Sequence, residues 1–131
     1  LTGIDTNVLL RYVLQDDPAQ TKVTNRAIAR LDRVNPGLIT TVVLCELNWS
    51  LTRAYKIPKA DRVSIIERIL SIVEFEVEHE ELCRKALHTF RNGTADFADY
   101  LIGEVSRASG CSVVLTFDKA ALKSPGFEEP R

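Results

Sequence analysis

Five acids in this chain stand where acids are costly, and their settings resemble one another. Asp5 follows the apolar start Leu-Thr-Gly-Ile and precedes Thr6-Asn7-Val8-Leu9-Leu10, so it marks the junction of a short strand and a helix. Asp118 ends the run Val113-Val114-Leu115-Thr116-Phe117 in the same manner. Glu46 lies inside Val42-Val43-Leu44-Cys45-Glu46-Leu47, and Asp96 and Asp99 are three residues apart in Ala-Asp-Phe-Ala-Asp-Tyr. In open α/β sheets ligands bind at the carboxyl ends of strands. Carboxylates that converge there make an acidic pocket whose usual occupant is a hard divalent cation.

Each acid also has a plainer reading. Asp5 and Asp118 are both placed to cap the helix that follows. Asp96 and Asp99 share a face if both are helical, and near a helix N-terminus the macrodipole favours solvated acids. Glu46 has Val42, Val43, Trp49 and Ser50 as its helical neighbours, so an unpaired charge there is costly unless a salt bridge to Arg53 offsets it. The conjunction favours a shared site, because four independent acids on one sheet edge are harder to obtain by accident than any one of them.

An oxygen-only ligand set suits Mg²⁺ or Mn²⁺. Such an ion polarises a phosphoryl oxygen, acidifies a bound water and stabilises a leaving oxyanion, so the predicted reaction is phosphodiester hydrolysis. The chain has no Gly-rich phosphate loop, no G-x-S-x-G elbow and no Cys/His nucleophile pair, which removes P-loop nucleotide hydrolysis and acyl transfer. His79, His88 and three cysteines without a Cys-x-x-Cys exclude a soft-metal centre. Cys45, Cys83 and Cys111 are predicted to be buried, reduced thiols.

The elements that must position these acids alternate short apolar runs with helical patterns, the rhythm of a parallel sheet covered on both faces. A strand is predicted over Thr2 to Ile4, a helix from Thr6 to Leu14, and a second helix with Asp17 as N-cap and Pro18 at its first position. That helix is predicted to bury Val23, Ala27, Ile28 and Leu31 and to end near Asn35-Pro36-Gly37. Leu38-Ile39 is a brief strand, Thr40 or Thr41 caps a third helix to about Tyr55, and Pro58 opens a fourth with Val63, Ile66, Ile69 and Leu70 as its buried stripe. Strict alternation in Glu74-Phe75-Glu76-Val77-Glu78 predicts an edge strand. Leu82, Ala86, Leu87 and Phe90 mark a fifth helix ending near Asn92-Gly93. Phe97, Leu101, Ile102 and Val105 mark a sixth, closed by Gly110. Ser112 to Leu115 reads as a buried central strand, and a helical turn or two follows Asp118.

With 131 residues and 45% hydrophobic composition, the chain has the size of a single domain, residues 1–131. No run of ~18 apolar residues could span a bilayer, and no basic-then-apolar leader opens the sequence. A cytoplasmic protein without a membrane partner is expected. The net charge of −1 argues against a polyanionic partner, yet spending five acids on cations would bring it to +4. Arg11, two turns after Asp5, and Arg53, two turns after Glu46, are candidate contacts to the phosphates of a polyanionic substrate; as surface ion pairs they would contribute little.

Taken in order, Ile4-Asp5-Thr6-Asn7-Val8-Leu9, Glu46, Ala95-Asp96-Phe97-Ala98-Asp99, Gly110 and Leu115-Thr116-Phe117-Asp118 resemble the PIN domain family, and within it the VapC toxins of toxin-antitoxin pairs. The resemblance spans nearly the whole chain. It implies a three-layer α/β/α fold with a central parallel sheet of four or five strands. It assigns Asp5, Glu46, Asp99 and Asp118 to a metal-binding quartet, with Asp96 as an accessory acid. Asn7 and Thr116 are then expected to orient acids or water through hydrogen bonds. The implied activity is a Mg²⁺- or Mn²⁺-dependent endoribonuclease, with a cognate VapB-like antitoxin as partner and a homodimer as its common form. The competing expectation is a PIN-like module that has lost catalysis and serves RNA or protein interaction. A phosphotransfer receiver, which also gathers acids at strand ends, is remote because the chain lacks a central phosphoacceptor strand.

Overall fold

The computed structural model describes residues 1–131 and is α/β, with six helices and only parallel strand pairs. Contacts group the chain into two compact units, Leu1–Glu80 and Glu81–Arg131.

The first unit opens with β1 (Thr2–Gly3) and α1 (Thr6–Leu14), the latter with the predicted bounds. α2 (Pro18–Ile28) starts as expected: Pro18 lies at its first turn, and Asp17 accepts the Gln20 N–H at 3.0 Å. It ends a full two turns before the predicted stop. The Asp32 carboxylate accepts the N–H groups of Val34 and Asn35 at 2.9 and 2.7 Å, so a side chain competes with the helix for those donors. Its buried face also differs from the predicted one. Thr21, Thr24 and Ile28 are buried, whereas Val23 is 62% exposed and Ala27 faces solvent. Threonine presents a methyl as well as a hydroxyl, and an apolar-periodicity reading counts only the latter.

β2 (Gly37–Ile39) is the central strand of a three-stranded sheet ordered β1-β2-β3. A Cβ at Gly37 would lie 2.9 Å from Leu31 Cδ1 and 3.1 Å from Ile4 Cγ1, so glycine lets both side chains close over the strand. α3 (Thr41–Arg53) is capped by Thr40, whose hydroxyl accepts the Val43 N–H at 3.2 Å. α4 (Lys59–Leu70) follows Pro58 and buries the predicted stripe Val63, Ile66, Ile69 and Leu70. β3 (Phe75–Val77) is at the sheet edge, with Phe75 and Val77 buried and Glu76 exposed. Leu9, Ile39, Leu44, Leu47, Leu51, Ile66 and Ile69 are sealed from solvent; each contributes about 1.5–3 kcal/mol by leaving water. The most deeply buried polar residue joins them: Asn48 is 2% exposed, and its Oδ1 accepts from Arg62 Nη1 at 2.7 Å.

The second unit carries most of α5 (Glu80–Asn92), then α6 (Phe97–Ala108), β4 (Val114–Leu115), a 3-10 turn (Ala121–Lys123) and β5 (Phe127–Glu128). Phe90 and Phe97 pack edge to face with centroids 6.0 Å apart. Gly110, at φ +98°, follows α6 in a conformation that glycine adopts without strain. Ile102 is 51% exposed, and the stripe it was expected to share is completed instead by Tyr100. The region of Ser112 to Leu115 is not a buried central strand: only Val114 and Leu115 pair, with β5, and Leu115 is 62% exposed. A β-rich composition fixes strand propensity but not which neighbours cover the strand. No cysteine is in a disulfide, yet only Cys83 is buried; Cys45 is half-buried and Cys111 exposed. No helix is long and apolar enough to cross a membrane.

Candidate functional site

In the first unit Asp5 follows β1 and stands at the N-cap of α1, with extended backbone (φ −78°, ψ 159°). Its carbonyl accepts the Leu9 N–H at 3.1 Å, so its backbone starts the helix. Its carboxylate makes no capping hydrogen bond and is exposed. The capping alternative therefore describes the position of Asp5 and not the use of its side chain. The next residue, Thr6, is buried, and its hydroxyl donates to Glu46 Oε1 at 2.8 Å. That bond ties the first turn of α1 to the middle of α3 and turns Glu46 toward the end of β1.

Glu46 is exposed, and so are the apolar neighbours thought to make its charge costly: Val42 is 65% and Trp49 52% exposed. Its partner is Thr6, while Arg53 lies over the Trp49 ring, 4.0 Å from the centroid. Thr6 is the participant that sequence reasoning missed. The signal was the Asp-Thr-Asn order, in which the hydroxyl next to the acid, and not the amide of Asn7, faces inward; Asn7 is exposed. Arg11 is held more tightly than a rim residue. Its guanidinium pairs with Asp16 at 3.3 Å, donates to the Tyr55 hydroxyl, and its side chain is 17% exposed.

In the second unit the approach to α6 is set by Gly93 and Tyr100. The Tyr100 hydroxyl occupies the space a Cβ on residue 93 would need, and from there it accepts the Ala95 N–H at 3.2 Å. Asp96 is the N-cap of α6, its Oδ1 accepting the Phe97 N–H at 2.8 Å, and Asp99 at the third helical position accepts the Asp96 N–H at 3.3 Å. The two acids thus form a capping box instead of two equivalent positions on one helix face. Asp99 is half-buried, and its carboxyl is held above the usual range first by burial, then by the charges of Asp118 and Asp96, against the opposing hydrogen bond from the Asp96 backbone. Asp118 spends Oδ1 on the Ala121 N–H at 2.8 Å, and its own N–H donates to the Thr116 hydroxyl at 3.0 Å. Thr116 thereby fixes the backbone of an acid, while Asp118 caps the following turn with one oxygen.

The donor chemistry of these residues fits a hard cation: all are carboxylate oxygens, and Asp99 carries a repulsion that a positive charge would relieve. The side chains do not form a ready-made cage, because no three Asp, Glu, His or Cys residues gather as a metal-holding group. Mg²⁺ keeps several waters when held by one or two carboxylates, so a closed cage is not a requirement for that ion. The PIN domain family model matches residues 4–127 of this chain, and no curated protein matches it.

Proposed function

The chain belongs to the PIN domain family, whose members are in general nucleases that typically bind divalent metal ions; from that premise we propose that it is a Mg²⁺- or Mn²⁺-dependent endoribonuclease, the toxin of a VapBC-type pair. The observation that carries this reading is Asp99, a half-buried carboxyl under the charges of Asp118 and Asp96. A bound cation would relieve that repulsion.

In this reading Asp5, Glu46, Asp99 and Asp118 are the acids of the reaction. A bound divalent ion would supply an activated water and charge stabilisation at the phosphoryl oxygens. The residues around the acids hold them in place. Thr6 fixes the Glu46 rotamer by donating to Oε1, and Thr116 fixes the backbone at Asp118. Asp96 anchors the N-terminus of α6 and so sets where Asp99 lies. Asn7, exposed at the first turn of α1, is left to orient water. Arg53 is the proposed phosphate contact. Arg11, fastened to Asp16 and Tyr55, acts as a brace behind α1. The toxin role and its partners, a VapB-like antitoxin and a second copy of the chain, rest on the resemblance of the ordered motifs, as does the treatment of residues 1–131 as one domain.

The test is cleavage of mixed RNA with and without chelator. Asp5→Asn, Glu46→Gln, Asp99→Asn and Asp118→Asn are expected to lose at least about a hundredfold in rate, beyond the loss typical of residues that only support a ligand. Asp96→Asn, which keeps a capping oxygen, is expected to lose less than Asp99→Asn. Wild-type cleavage in excess EDTA overturns metal dependence. RNA binding without cleavage in Mg²⁺ and Mn²⁺ points to the non-catalytic interaction module.

A further inference from the structure

We propose that Phe127 is a positioning residue: its ring, seated on α6 at Gly103, clamps β5 to that helix, and β5 in turn holds the strand end that carries Asp118 in a fixed place relative to Asp99. This rests on the reading of Asp99 and Asp118 as metal-holding acids and deepens it, because it names what sets their spacing.

Gly103 follows Asp99 by four residues, so the two lie one turn apart on one side of α6. A Cβ at Gly103 would stand 2.9 Å from Phe127 Cζ and 3.2 Å from Cε2, which means that the ring rests on bare helix backbone. Gly126, at φ +88°, makes the turn that presents the ring. On either side of Phe127 the backbone of β5 is bonded to β4: the Gly126 carbonyl accepts the Val114 N–H at 2.8 Å, and the Glu128 carbonyl accepts the Thr116 N–H at 2.9 Å. β4 pairs with no other strand, and Leu115 is 62% exposed, so these bonds, more than side-chain burial, fix where β4 ends. From Thr116 the restraint passes to Asp118, whose N–H donates to the Thr116 hydroxyl at 3.0 Å and whose Oδ1 accepts the Ala121 N–H at 2.8 Å. Asp118 is thus tied to α6 through Thr116, the Glu128 backbone and the Phe127 ring. Beside its own burial, the Asp99 carboxyl feels the charge of Asp118. A shift of β5 against α6 therefore alters the pair of carboxylates that a cation would meet. A ring that only filled core space would be enclosed, whereas Phe127 is half-buried and borders a cavity of about 310 Å³ together with Thr89, Tyr100 and Arg107.

The test uses the full chain and two readouts. In chelator, amide exchange relative to intrinsic rates is compared between wild type and Phe127→Ala. Protection is expected to fall at Thr116 and at Ala121, whose N–H reports the Asp118 carboxylate, while amides in the middle of α6 keep theirs. Mn²⁺ binding, followed by the paramagnetic resonance of the free ion, is expected to weaken about tenfold, the lower end of what losing a group that supports a ligand does. Gly103→Ala favours the helix but presses its methyl on the ring, so it is expected to keep α6 protected and still to weaken Mn²⁺ binding. Phe127→Leu lacks the two ring atoms nearest that methyl, and in the Gly103→Ala background it should recover most of the loss. The proposal is overturned by wild-type protection at Thr116 and Ala121 in Phe127→Ala, by loosened amides with unchanged Mn²⁺ affinity, or by losses that simply add in the double variant. Loss of protection throughout α6 in Phe127→Ala also overturns it, by making Phe127 a packing residue only. A wild type that binds no Mn²⁺ sinks the metal reading alone, and the amide pattern then decides the clamp.

Discussion

At Asp99 partial burial and two neighbouring acids act on one carboxyl, and the consequence is a dependence of stability on pH. The carboxyl titrates above the usual range in the folded chain, so the fold penalises its ionised form. That penalty is absent below the unfolded value of about 3.9 and grows as pH rises through the folded value. Asp99→Asn removes the charge and keeps an oxygen to accept the Asp96 N–H. In chelator the variant is therefore expected to melt above wild type at neutral pH, with the difference vanishing near pH ~3. Adding Mn²⁺ should narrow the neutral gap by stabilising wild type. Thermal melts across pH decide it; a difference that persists unchanged in acid would mean that the substitution acts through packing and not through charge.

At the scale of elements, β3 and α3 are joined by one carboxylate. Glu78 Oε1 accepts both the N–H and the hydroxyl of Thr41, each at 3.0 Å, just after β3 and at the start of α3. Those bonds hold the Glu78 carboxyl below its ordinary range, the Thr41 backbone bond most of all. A depressed value contributes stability above the unfolded value of about 4.3, and the contribution is lost as pH falls through the folded one. Measured against its intrinsic rate, amide exchange at Thr41 is expected to be protected at neutral pH, to lose protection in acid, and to be unprotected at both in Glu78→Ala; equal protection of variant and wild type at neutral pH would remove the link. No short-range pattern announces this contact, because residues 41 and 78 are far apart in sequence. The same limit governs what could be read from the chain alone. α1, α4 and β3 follow from periodicity and proline placement, and their bounds or buried stripes match the expectation. The shift of α2 onto Thr21 and Thr24, and the exposure of Leu115, depend on partners that local pattern does not specify. In the candidate site the acids stand out by type and position, whereas the Thr6 bond to Glu46 and the capping box at Asp96 are visible only once the helices are placed.

For the molecule as a whole, the charge of −1 has to be reconciled with the proposed RNA substrate. If divalent ions neutralise the acids, affinity for RNA rises with Ca²⁺ before any turnover, and each added phosphate contact steepens the dependence on monovalent salt. Binding titrations at several concentrations of both salts are expected to show that coupling. Affinity indifferent to Ca²⁺ would detach RNA binding from the acids. The edge of the three-stranded sheet has a further bearing on handling the protein. β3 has a hydrogen-bonded neighbour on one side only, and Glu74, Glu76 and Glu78 run along it. Like charges on an edge strand discourage a second chain from adding to it. Strong acid removes these charges, leaving Phe75 and Val77 in an uncharged strand with open backbone groups. Acid storage should therefore convert the chain to cross-β aggregates that thioflavin fluorescence detects, and Glu76→Lys, which stays charged in acid, should delay them.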